Sequence, residues 1–171
     1  LEANRPLLNH RRVTLFDMLL ARALLELGST VAVLALLLPL AWLAGYADLP
    51  ENPMLVLAAT MLMGWFSFAL SMLVMALSHE SSLAGRLVHP LLYLSMPLSG
   101  AFFAMQWFSP GLQALLAWVP TVPLFELMRV GLFAGYPADF ANLTYPVAVN
   151  AGLTLLGLAA LRAIRPRIEI N

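Results

Sequence analysis

Apolar residues run through this chain in long blocks, and the few charges fall between them. The first uncharged block, 27–47, is followed by Asp48 and Glu51, and the second, 52–78, ends at His79 and Glu80. The third begins after Arg86, with its crossing part over 88–105, and the fourth, 140–161, ends at Arg162. A bilayer core about 30 Å thick takes about 20 residues at about 1.5 Å each, and each block is long enough. The pattern predicts an all-α membrane protein, a polytopic transmembrane helix bundle.

The region after the third block departs from a simple helix. From Leu87 to Phe125 there is no Asp, Glu, Lys or Arg, and the run is cut by Pro90, Pro97, Pro110, Pro120 and Pro123. It is too long for one crossing and too broken for two. Irregular backbone at membrane depth is tolerated only where protein buries it or a cavity meets it, which points to a transporter subunit rather than a passive anchor. Ser109-Pro110 forms a helix start, with serine as N-cap and proline at the first helical position. Pro120 ends that helix after about ten residues, or about 15 Å. Pro123 starts a second short helix through Glu126 and Arg129, which Gly135 and Pro137 end. Back to back, these half-helices predict a re-entrant hairpin over 109–135 on the outer side. An amphipathic helix on the outer surface is the alternative, but Leu112, Leu115, Leu116, Trp118 and Val119 leave it little polar face.

Charge and composition narrow the function. The chain is 61% hydrophobic and 11% charged, against about 25% charged in a soluble domain. Net charge is zero, so nothing points to nucleic acid. Cysteine is absent, which removes disulfides and thiolate chemistry. Lysine is absent too, which excludes a Walker-type phosphate loop; if ATP drives this protein, another chain binds it. Arg5, Arg11, Arg12 and Arg22 precede the first block, Arg86 lies between the second and third, and Arg162, Arg165 and Arg167 follow the fourth. The positive-inside rule then puts both ends in the cytoplasm, with the Asp48 loop and 107–142 outward. The chain opens at Leu1 without a signal-peptide pattern and reads as the C-terminal part of a longer protein.

Enzymatic constellations are weak. His79-Glu80 starts like a zincin motif, but Leu83 stands where the second histidine belongs. His10 and His89 have no partner at ligand spacing, and Ser78, Ser81 and Ser82 beside His79 have no identifiable oxyanion donors. Two charge pairs carry more weight. Arg22 and Glu26 sit four apart where the first span begins, as an interfacial ion pair or as a relay of motion. Glu126 and Arg129, three apart, are the only charges between Arg86 and Asp139. They read either as an outer gate touching cargo or as an ion pair holding the short helix in place. Phe102, Phe103, Trp107, Phe108, Trp118 and Phe125 gather near the same boundary, as an interfacial belt or as a stacking path for sugar rings. In 96–103, Pro97 interrupts the helix while Ser99, Gly100 and Ala101 permit close approach of a neighbouring backbone.

Three strings in order, LLNHRRVTLFDMLLARALLE (7–26), MPLSGAFF (96–103) and FELMRVGLFAGY (125–136), resemble the permease subunits of ABC type-2 exporters, above all those that export capsular polysaccharide. The similarity runs over the whole chain. It implies a missing N-terminal amphipathic helix and two further spans, so that the four spans here are the third to sixth. It also implies two permease copies forming a homodimer in the bacterial inner membrane, driven by two cytoplasmic ABC ATPase subunits that bind the ATP, with no cofactor of the permease's own. Periplasmic and outer-membrane export proteins are further implied partners. The implied coupling segment maps to 7–14, where Leu8, His10, Arg11 and Arg12 would dock on the ATPase. Without the resemblance those arginines could equally enforce topology or touch anionic lipid, at about 1 kcal/mol each. The implied cargo is a polysaccharide. The same architecture carrying O-antigen, teichoic acid or a drug is one alternative, and an intramembrane enzyme is another of a different class.

Overall fold

The computed structural model describes residues 14–168, and every regular element among them is helical. The segment 7–14, with Leu8, His10, Arg11 and Arg12, lies outside the described residues except for Thr14. Helix α1 (Leu15–Leu43) is fixed at its start by a capping box. The Asp17 carboxylate accepts from the Thr14 N–H at 2.9 Å and the Thr14 hydroxyl accepts from the Asp17 N–H at 3.2 Å, satisfying donors that a helix start leaves open. At 29 residues it is about 43 Å long, longer than a hydrocarbon core of about 30 Å requires. None of its residues is buried.

Helix α2 (Pro53–Glu80) is the central element. Asn52 caps it, accepting from the Leu55 N–H at 3.1 Å, and Pro53 takes the first helical position. Its buried positions Ala59, Thr60, Ala69, Met72 and Ala76 are mostly small, which lets neighbouring helices come close. Helix α6 (Thr144–Ile168) runs parallel to it: the Asn150 amide donates to the Leu62 carbonyl at 2.9 Å, the Trp65 indole N–H donates to the Thr154 hydroxyl at 2.9 Å, and Gly157 lies against Met72. The start of α1 (Leu15, Phe16, Leu19) and the end of α6 (Leu161, Ile164) meet in one cluster around Ala69, Met72 and Ala76. The two described ends of the chain therefore lie on the same side of the bundle.

Ser81 closes α2 and caps α3 (Ser82–Ser95). With 14 residues, or about 21 Å, α3 is shorter than a crossing. The expected third span, 88–105, is thus not one helix. It stops because Pro97 offers no donor and the Ser95 and Ser99 hydroxyls donate to the Leu92 and Met96 carbonyls at 2.8 and 2.7 Å, competing with the ladder. Gly100 then turns the chain at φ +91°, where a Cβ would sit 3.0 Å from the Val122 Cα. Residues 82–104 nevertheless carry the chain from the Glu80 end of α2 back to its Asn52 end, since Gly100 and Ala101 bond to Arg129 and Gly131 rests on Asn52.

A 3-10 turn (Met105–Trp107) leads to α4 (Pro110–Leu116) and α5 (Thr121–Leu132), bent by 107° about the break between them. Helix α4 is shorter than the ten residues expected, because the Trp118 and Val119 N–H groups tighten into i→i+3 bonds to Leu115 and Leu116 ahead of Pro120. Ser109 is its N-cap residue, although its side chain makes no cap bond. Helix α5 begins two residues before Pro123, with Pro120 as its cap residue. Among the described residues three helices, α1, α2 and α6, are long and apolar enough to cross a membrane, and the bent pair α4–α5 makes a fourth if it is counted as one span.

Helix α5 seats on α2 through Gly131, where a Cβ would stand 2.9 Å from the Val56 backbone nitrogen and the Asn52 N–H donates to the Gly131 carbonyl at 3.0 Å. Gly131→Ala therefore costs about 1–3 kcal/mol through overpacking, whereas Gly152→Ala, with nothing within 4 Å of its Cβ, is neutral or slightly stabilising. Thermal unfolding of the two purified variants checks the contrast.

Candidate functional site

Residues from three stretches of chain converge at the Asn52 end of α2, around one carboxylate. Helical spacing puts Glu126 and Arg129 on one face of α5, and Glu126 is 1% exposed. A buried carboxylate is costly unless its lone pairs are met, and here three donors meet them. Glu126 Oε1 accepts from Arg129 Nη1 at 2.9 Å and from the Met105 N–H at 3.1 Å, and Oε2 accepts from the Tyr136 hydroxyl at 2.9 Å. Arg129 Nη2 donates onward to the Gly100 carbonyl and, at 3.2 Å, to the Ala101 carbonyl. The ion pair thus grips the non-helical segment 100–104 at its start and at Met105, the residue that follows it. Burial above all, and the bond to Glu126, push the Tyr136 hydroxyl up to about 12, so it remains a donor at physiological pH.

Beside this clamp opens a cleft of about 300 Å³. Phe102, Phe103, Gln106 and Trp107 line one side, and Arg129, Phe133 and Tyr136 the other. Four residues singled out in the sequence, Phe102, Phe103, Trp107 and Arg129, therefore share one site. Glu126 lies beneath it, too deeply buried to reach a passing molecule in this conformation. Phe102 and Trp107 are 64% and 70% exposed. Phe103 instead packs edge-on against Phe108 with ring centres 5.0 Å apart. Trp118 lies elsewhere, edge-on to Tyr145, whose hydroxyl donates to the Trp118 carbonyl at 2.6 Å.

Sequence reasoning gave no role to Tyr136 or Gln113. The Gln113 amide donates to the Met105 and Phe108 carbonyls, both at 3.0 Å. Its signal was being the one amide between Ser109 and Pro120 in an otherwise apolar helix.

The other charge pair behaves differently. Arg22 and Glu26 are exposed and no ion pair joins them, which corrects the expected interfacial pair. Arginine placed N-terminal to glutamate is the weaker order for an i,i+4 contact. Both side chains instead line a groove of about 410 Å³ between α1 and α2, with Thr60, Ser67 and Ser71 across from them.

Removing one member of the buried pair strands the other. Glu126→Ala and Arg129→Ala each cost about 3–5 kcal/mol, and the double variant costs less than the sum. A double-mutant cycle read by thermal unfolding in lipid nanodiscs checks this.

No protein-family model matches the chain. Over 99% of its length it is 31% identical to the capsule polysaccharide export inner-membrane protein CtrC of Neisseria meningitidis serogroup B, and 28% identical to the corresponding protein BexB of Haemophilus influenzae. Over 95% it is 29% identical to the polysialic acid transport protein KpsM of Escherichia coli. The chain spans 64% of the length of the first two relatives and 63% of the third. Along almost all of its residues, then, this chain is similar to the capsule polysaccharide export inner-membrane proteins, the group that its three ordered strings resemble.

Proposed function

We propose that the chain forms most of the permease subunit of an ATP-driven ABC exporter that moves capsular polysaccharide out across the bacterial inner membrane. The observation that carries this reading is the relationship to CtrC and BexB over 99% of the chain. Two further features support it. The start of α1 and the end of α6 meet at one end of the bundle, as an even number of crossings requires, and arginine placement supports a cytoplasmic position for that end. At the opposite end, non-helical backbone at 96–104 is the kind tolerated at membrane depth beside a cavity or within protein.

On this reading two copies frame the path, and separate cytoplasmic ATPase subunits bind and hydrolyse ATP; the permease needs no cofactor of its own. Leu8, His10, Arg11 and Arg12 dock on the ATPase, as a short basic and apolar segment can in a groove of a soluble partner. Arg22 and Glu26, just inside the same end of α1, relay its movement. The cleft of Phe102, Phe103, Trp107 and Arg129, braced by Glu126, forms the outward exit, and periplasmic and outer-membrane proteins receive the chain beyond it.

In cells lacking their own capsule permease, the whole protein restores surface polysaccharide, and its tagged form brings down an ATPase. Changing His10, Arg11 and Arg12 together to alanine removes export and lowers ATPase recovery by about tenfold, with membrane levels unchanged. Turnover of a substrate by the purified permease alone would instead indicate an intramembrane enzyme.

A further inference from the structure

Trp107 is presented to the cleft by a device that an ordinary interfacial tryptophan does not need. It ends the three-residue turn Met105–Trp107. The turn is closed by its own backbone, with the Trp107 N–H donating to the Ala104 carbonyl and the Phe108 N–H to the Met105 carbonyl, both at 3.1 Å. At the front, the Met105 N–H is fixed to Glu126. At the back, one nitrogen of Gln113 donates to the carbonyls on both sides of Trp107, those of Met105 and Phe108. Met105 is wholly buried, while two residues later the indole stands 70% exposed. Such bracing by surrounding hydrogen bonds is how a binding group is held in a working geometry.

The charge of the cleft is equally informative. Arg129 is its only charged lining residue, and the Glu126 carboxylate lies 2.9 Å from it. Three of its five N–H donors are taken by Glu126, Gly100 and Ala101. An anion entering the cleft would meet a guanidinium that is already neutralised. What stays open is aromatic surface from Phe102, Trp107 and Phe133, with Gln106 as an exposed polar side chain beside it. The volume is at the lower limit of small-molecule sites, about 300 Å³.

We infer that this cleft is a charge-blind subsite for one glycan ring, in which Trp107 stacks on the ring face and Gln113 is the positioning residue that holds Trp107 in place. The inference rests on the exporter reading for its choice of ligand, and it adds that neutral and acidic residues of a glycan are gripped alike. Stacking on C–H faces is indifferent to ring substituents that point away, so a polymer can pass without a strong site to stall it.

The test uses the full-length permease in uncharged nanodiscs, with two probes of equal length, a neutral N-acetylglucosamine oligomer and an acidic sialic acid oligomer. Binding is read by isothermal titration calorimetry for every variant and, where Trp107 is present, also by the fluorescence change absent from Trp107→Leu. Affinities for the two probes agree to within about threefold, and they change little between low and high salt. Trp107→Phe keeps binding of both, by aromatic rescue. Gln113→Ala weakens both by about tenfold and speeds the depolarisation of Trp107 emission before any probe is added, which a purely structural role would not do. Much tighter, salt-sensitive binding of the acidic probe would overturn charge-blindness. A Trp107 signal that responds to neither sugar, or equal binding by Trp107→Leu, would overturn the subsite even if capsule export proceeds. Failure of the exporter reading looks different, because the protein would then bind both probes yet restore no export in cells.

Discussion

The Asn52 end of this bundle depends on a single buried carboxylate. Segment 100–104 is not helical, and so it lacks the internal ladder that lets a backbone enter an apolar environment. Glu126 and Arg129 supply what the ladder would have supplied. The carboxylate takes the Met105 N–H, and the guanidinium covers the Gly100 and Ala101 carbonyls. Each charge thereby satisfies the other and the backbone together. That economy explains why two charges occupy a helix whose other ten residues, Thr121 apart, are all apolar or glycine.

The rest of the site follows from that anchor. With Met105 pinned and Gly100 turned sharply against Val122, the aromatic residues between and just beyond them are carried out to line a cleft. Gln113 then fixes the turn from the opposite side. Gly131 seats the whole unit on the start of α2. The opposite end of the bundle is simpler, an apolar cluster in which the start of α1 meets the end of α6. One end is thus held by dispersion and close packing, the other by a few directional bonds. Directional bonds break as discrete events, whereas dispersion yields gradually.

Much of the helical plan was legible in the residues, because Asn52-Pro53 and Ser109-Pro110 act locally on the backbone and the long apolar blocks of α1, α2 and α6 carry their own hydropathy. The stretch 88–105 was not, because its apolar side chains satisfy a span pattern while Pro97 and the Ser95 and Ser99 hydroxyls spoil the backbone. Hydropathy counts side chains and ignores amides. The spacing of Glu126 and Arg129 announced their pairing, but not that Arg129 reaches carbonyls 28 and 29 residues upstream. Spacing likewise suggested a contact for Arg22 and Glu26 that tertiary surroundings do not make. Tyr136 and Gln113 acquire meaning only from backbone groups brought to them by folding.

The Met105 amide reports most directly on whether one carboxylate holds the non-helical segment in place. Hydrogen–deuterium exchange on the full-length protein in lipid should find that amide protected to the degree of amides inside α5, although it belongs to no α-helix. Exchange of the Met105 amide at the rate of an open loop, with α5 itself protected, would contradict the account.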